Sequence, residues 1–320
     1  MEISTRSAAL IAETARSPAA QPHICAMTLQ IDFTHDVAAR CIERLTEAGY
    51  APAPADDEEA IYTYVSIRHR RVRPQPRTVH KAAYTVPAHL AVGEQQLLEK
   101  VKVGGDLWPH QSRKIGKLSV EDGMLNDYGI QHFHLGTTPD AKRPDLITGT
   151  KELLFAVVKE GDFYAIGIYD HDAWTKQALV DVIHATWPEL TEPYTLKDGP
   201  GMKVLGLAYN PTDEEVASLR AAGVNALQQR PDGKIQIGMG GGVASDGSSF
   251  AVRREADRLL DHIDQLQTLV EDGFAPVVAS GKLPPNAQVR VIWEDEKAFV
   301  VTKPPSTKDE ITSHLIIPPL

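Results

Sequence analysis

Three runs between residues 130 and 172 restrict the fold of this chain more than any other feature of its 320 residues. IQHFHLG (130–136), ELLFAVVKEG (152–161) and DFYAIGIYDHD (162–172) are short and rich in the β-branched and aromatic side chains that suit a pleated surface. The second and third meet at Glu160-Gly161-Asp162, a tight-hairpin signal, while the first and second are separated by the polar loop TTPDAKRPDLITGTK. The strands are apolar on both faces, which places them at the centre of a sheet.

The flanking segments read as helices and shorter strands. Residues 27–33 alternate as a strand, and 37–48 carry apolar residues at helical spacing up to Gly49, after which APAPADDEEA reads as a linker. Residues 61–72 read as a strand with Tyr62, Tyr64, Ser66, Arg68 and Arg70 on one face. A second strand-like piece lies near Tyr84, and residues 88–103 form a helix stopped by Gly104-Gly105. Ser119 reads as an N-cap, with Asp122 as its capping-box acid, for a short helix closed by Gly129. Another helix follows at 174–186. Beyond it come a strand at 203–208, a helix at 212–222, a strand at 234–237, a helix at 252–270 and a strand pair at 288–293 and 298–302. The pattern predicts an α+β fold in which an antiparallel sheet carries helices on one side in the central domain, with a second α+β region at the C-terminus. The expected division is 1–60 (tail, small βα unit and linker), 61–193 and 194–320.

Composition narrows the class of protein. The only cysteines are Cys25 and Cys41, too few for a disulfide framework or a thiolate zinc site, so a reducing compartment such as the cytoplasm is expected. Glu13 and Arg16 break the apolar run of the leader, which reads as a frayed tail or an upstream mis-start rather than a signal peptide, and no membrane partner is expected. The net charge is −10, but residues 61–120 hold eleven Lys/Arg against three acids, a surplus of eight that leaves −18 for the rest. A basic block in an acidic chain is what a phosphate backbone selects; a solvated face balancing the acidic remainder is the other reading. Its densest part is DLWPHQSRKIGKL, with His110, Arg113, Lys114 and Lys117 as candidate substrate-binding residues.

Residues two apart on a strand share a face, so His132 and His134 present two imidazoles together, while Gln131, Phe133 and Leu135 face the other way. His171, between Asp170 and Asp172, ends the third strand. If the strands are neighbours, the three imidazoles converge, and imidazoles divide proton removal and donation near neutral pH. That chemistry needs no cofactor and suits RNA cleavage, where the neighbouring 2′-hydroxyl attacks the phosphate. The same three histidines with Asp170 also make an adequate shell for a divalent transition metal, which would give a metal-dependent hydrolase. In a third reading the histidines are satisfied polar residues of a sheet, and the chain is a non-catalytic nucleic-acid or protein-binding module.

The order of elements, with HFHLG, then LLFAVV, then DFYAIGIYDHD after Lys/Arg-rich helical segments, resembles the RelE/ParE-type toxin fold within the barnase-EndoU-colicin-RelE ribonuclease group. The resemblance covers residues 61–190 and implies a metal-independent endoribonuclease acting as a toxin or defence protein, with RNA as substrate and an antitoxin or other protein as partner. EndoU-like members use two histidines and a lysine, which implies roles for two of His132, His134 and His171 and for Lys114 or Lys117. Asp172 stands where many RelE-type toxins carry an arginine after the terminal histidine. The loop GMGGGVASDGSS (238–249) lacks both the P-loop Lys-Ser/Thr and the dinucleotide glycine spacing, so it is expected to be a flexible connection.

Overall fold

The computed structural model describes residues 29–201, 203–281, 287–303, 307–311, 315 and 317–318. Cys25, the leader and the first residues of the expected 27–33 strand lie outside them. In chain order the elements begin with β1 (Gln30–Ile31), α1 (Phe33–Glu47), α2 (Asp57–Arg70), β2 (Thr78–Lys81), α3 (Ala91–Val103) and α4 (Gly123–Tyr128). They continue with β3 (Gln131–His134), β4 (Glu152–Val158), β5 (Asp162–Asp170), α5 (Ala178–Thr186), α6 (Asp213–Ala221), β6 (Gln228–Gln229) and β7 (Ile235–Gln236). The last are α7 (Phe250–Ala279), β8 (Gln288–Glu294), β9 (Lys297–Lys303) and β10 (Thr307–Glu310). No helix among the described residues is long and apolar enough to cross a membrane.

The chain divides into two units, one of Met1–Val65 with Glu255–Leu320 and one of Ser66–Arg254, so the expected boundary at 193/194 falls inside the second. In the first unit β1 runs parallel to β8, and β8, β9 and β10 follow antiparallel in the order β1-β8-β9-β10. Asp36 of α1 is buried, accepts a hydrogen bond from Val291 N at 2.6 Å and pairs with Arg290, which ties the helix to β8.

In the second unit the sheet order is β2-β5-β4-β3. The three expected strands are neighbours, β3 antiparallel to β4 and β4 to β5, with β2 added parallel to β5. The hairpin closes where the sequence places it: Lys159 N donates to Asp162 O at 2.9 Å. Helices cover both faces rather than one. Leu97, Leu98 and Val101 of α3 pack with Phe133, Leu154 and Phe163 on one side. On the other, residues of α4, α5 and α6 (Met124, Tyr128, Leu179, Ile183, Val216) meet Leu153, Phe155 and Ile166. Strands apolar on both faces need both covers, so the α+β class stands and its one-sided arrangement does not.

Two expected strands are absent. Residues 57–70 are helical: Asp56 Oδ1 accepts from Glu59 N at 2.7 Å as a cap, and Glu59 Oε2 accepts from Ala55 N at 3.2 Å. Three acids in its first turn and Arg68, His69 and Arg70 in its last complement the helix dipole. The alternation of Tyr and Arg had suggested a strand, but Ile61, Tyr64, Val65 and Ile67 are buried at helical spacing. Residues 203–208 are irregular.

Candidate active site

The site starts from a helix cap. Asp122 Oδ1 accepts from Met124 N at 3.2 Å and Leu125 N at 3.1 Å, so Asp122, not Ser119, is the N-cap of α4. Gly129, with φ 68°, ends the helix and turns the chain into β3. Three residues on, His132 is buried, and its Nδ1 lies 3.8 Å from Asp122 Oδ2. The cap carboxylate therefore holds the helix with one oxygen and faces an imidazole with the other.

His171 follows the end of β5 and is held by its own N–H, which donates to Lys151 O at 3.1 Å. Trp174, in the next turn of chain, touches both imidazoles, with centroids 4.4 Å from His132 and 4.7 Å from His171, both edge-to-face. The His134 ring lies 6.5 Å from that of His171. The three expected histidines thus gather on one face of the sheet. His132 and His171 line a cavity of about 570 Å³, whereas His134 sits behind it. Thr150 N donates to His134 Nδ1 at 3.1 Å, which leaves the proton of the neutral ring on Nε2.

Burial lowers the pKa of His132, with nearby His171 acting the same way and Asp122 opposing. His134 is pushed down to about 4 by burial and by the two neighbouring imidazoles. His132 is therefore neutral near pH 7 and able to accept a proton, and Asp122 is placed to stabilise the imidazolium that results.

Lys114, Arg70 and Arg220 bring positive charge to the wall of this cavity. Lys114 follows the Ser112 cap of a short 3₁₀ turn and makes no ion pair among the described residues. Arg70, at the end of α2, donates through Nη2 to Lys117 O at 3.2 Å and Leu118 O at 3.1 Å. Arg220 of α6 reaches back to α4: Nη2 lies 2.7 Å from Asp127 Oδ2, Nη1 donates to Trp174 O at 2.7 Å, and the guanidinium lies 4.8 Å from the centre of the Tyr128 ring. A Cβ on Gly123 would stand 2.7 Å from Arg220 Cδ, so a glycine at the first position of α4 makes room for this arginine.

Within the residues that line this cavity, His132 Nδ1, Gln111 Oε1 and Gln131 Oε1 are buried without a hydrogen-bond partner among the described residues. Asp122, Trp174, Arg70, Arg220 and the two glutamines were not among the site residues expected from sequence. Asp122 was visible as a helix-start acid, but the Arg220–Asp127 pair spans 93 residues and has no local signature.

Other expected residues have different places. Arg113 is paired with Asp140, and Lys117 contributes its carbonyl to Arg70. His110 is buried, donates from Nδ1 to His134 O at 2.9 Å and faces Lys100 Nζ through Nε2 at 3.2 Å, so it braces the end of β3. Asp170 faces Lys151 at 3.5 Å. Among the described residues no group of three or more His, Cys, Asp and Glu side chains is arranged to hold a metal ion.

The basic block is divided in the same way. Arg77 is buried against the carbonyls of Arg73, Gln75 and Lys159, and Lys81 pairs with Glu94 at 2.5 Å. Nor is the glycine-rich loop a loose connection: Gly240 N and Gly242 N donate to Asp127 O and Asn126 O at 2.8 and 2.9 Å, closing the end of α4. No protein-family model, curated protein or solved structure matches this chain.

Proposed function

We propose that the second unit cleaves RNA by acid–base chemistry, as a cytoplasmic endoribonuclease of the toxin or defence type. The observation that carries the reading is the pair His132 and His171 on one cavity, with Asp122 behind the first and Lys114, Arg70 and Arg220 on the same wall. In the proposed step His132 removes the proton of a 2′-hydroxyl, whose oxygen attacks the adjacent phosphorus. The bond from phosphorus to the 5′-oxygen breaks, and His171, entering as imidazolium, gives that oxygen its proton. The products are a 2′,3′-cyclic phosphate and a 5′-hydroxyl, and the cations offset charge gathering on the phosphoryl oxygens. Trp174 packs edge-to-face against both imidazoles and helps fix their orientation.

The test is a cleavage assay on labelled RNA, with and without EDTA, alongside host growth on expression. Wild type is expected to cut in both conditions, and His132→Ala and His171→Ala each to lose about 10²-fold or more. Loss of cleavage on chelation, with recovery on adding a transition metal, would support the metal-dependent reading instead. Intact RNA and unaffected growth in every arm would leave only a binding role.

A further inference from the structure

The acid–base reading uses His132, His171, Asp122 and the three cations, and it leaves a large part of the cavity wall without a task. That part is lined by Ala217 and Ala221 of α6, by Val243, and by Ile115, Val120 and Leu125. None of these side chains carries a hydrogen-bond donor or acceptor. Ala217 and Ala221 are exposed and Val120 is half-buried, so they have open surface to offer a ligand, while the buried Ile115, Leu125 and Val243 complete the wall. Ala217 shares a face of α6 with Arg220 and Ala221, because residues three and four apart are neighbours on a helix. That face is tied to the imidazoles: Arg220 Nη1 donates to Trp174 O at 2.7 Å, and the Trp174 ring touches both His132 and His171.

The wall is preformed. A capping box starts α6, with Glu215 N donating to Thr212 Oγ1 at 3.3 Å and Thr212 N to Glu215 Oε2 at 2.8 Å. The Asn225 amide clamps Val243, donating from Nδ2 to its O at 2.8 Å and accepting from its N at 2.6 Å. Gly223, with φ 68°, lets the chain beyond Val243 approach the end of α6: a Cβ there would stand 2.6 Å from Ser245 O. An apolar wall held open in this way stays against water until a ligand covers it, and covering it is favourable. Phosphate oxygens and ribose hydroxyls need hydrogen-bond partners; the parts of a nucleotide that need none are the two faces of its base, and every base has them. From this match we infer that the α6 side of the cavity is a base-binding subsite, which holds a nucleobase by its faces without reading its edges, beside the phosphate that meets His132 and His171. The inference deepens the RNA-cleaving reading and rests on it for its place in a reaction, but its physical content is binding and can be measured without any cleavage.

The experiment is calorimetric titration of the full chain with AMP, GMP, CMP, UMP and ribose 5-phosphate, repeated with Ala217→Gln, Ala221→Gln and Ser218→Gln. All four nucleotides are expected to bind about tenfold or more tightly than ribose 5-phosphate, which lacks only the base, and to lie within about tenfold of one another. Ala217→Gln and Ala221→Gln, which put bulk and a polar amide on the apolar wall, should each bring nucleotide affinity down toward that of ribose 5-phosphate and leave ribose 5-phosphate binding unchanged. Glutamine is a good helix former, so melting curves should match wild type, and Ser218→Gln, on the same helix but off the cavity, should change no affinity. Ribose 5-phosphate binding as tightly as the nucleotides, a wider spread among the four, no nucleotide binding at all, or unchanged nucleotide affinity in both alanine variants would overturn the inference. Base-dependent binding without RNA cleavage would leave the subsite standing and remove the enzyme reading; cleavage with binding that ignores the base would do the reverse.

Discussion

His134 and Asp122 lend themselves to the sharpest single-residue tests. With its folded pKa near 4, against 6.5 in an unfolded chain, the His134 ring is neutral in the folded protein at pH values where the unfolded chain has already bound a proton. Its contribution is complete above pH 6.5 and is lost as the pH falls toward 4. Allowing for partial exposure of the ring, the loss is of the order of 2 kcal/mol. His134→Asn, which can keep an acceptor for Thr150 N, should flatten the pH dependence of urea midpoints across that window; an unchanged slope would show that other groups set it. Asp122→Asn should keep the helix cap, since Asn caps as well as Asp, while withdrawing the charge that steadies a protonated His132. Near-wild-type melting with kcat lowered by about tenfold or more is expected, and the acid limb of the activity profile should move further below the ordinary histidine range. Equal kcat for the two proteins would mean that the 3.8 Å approach has no catalytic consequence.

At the scale of elements, α4 and α6 are joined through Arg220. Removing the guanidinium leaves Asp127, a buried carboxylate whose pKa burial already raises against the pull of Arg220, without its partner. Arg220→Met is therefore expected to cost about 3 kcal/mol in chemical denaturation; a cost below 0.5 kcal/mol would argue that α4 holds its place through the glycine loop alone. The elements themselves were legible where a local rule governs them. Short runs rich in β-branched and aromatic residues, Glu160-Gly161-Asp162 and the glycines at 104 and 129 marked the central strands, the hairpin and two helix ends. Residues 57–70 misled because aromatic and arginine side chains alternate there, while the Asp56 cap on Glu59 N lay inside what read as a linker. In the site, His132 and His171 were visible because a strand fixes which side chains share a face. Trp174, Arg220, Gln111 and Gln131 were not, because only the fold of distant segments brings them to the cavity.

For the molecule as a whole, the charge surplus of residues 61–120 is a poor measure of its grip on a polyanion, since ion pairs and carbonyls engage much of it. If the three cavity cations are those that meet phosphate, RNA affinity should fall with salt at a slope near −2 in log–log form, whereas the full surplus of eight would give about −6. Filter binding over a range of KCl concentrations distinguishes the two. One further property comes from the placement of Trp174. An imidazolium quenches the emission of an indole it touches, and this indole touches two imidazoles at 4.4 and 4.7 Å. The fold has thus put a fluorophore against the groups proposed to carry protons. Trp174→Phe subtraction spectra recorded across a pH titration should report the charge state of that pair directly, in the intact chain and with no added label.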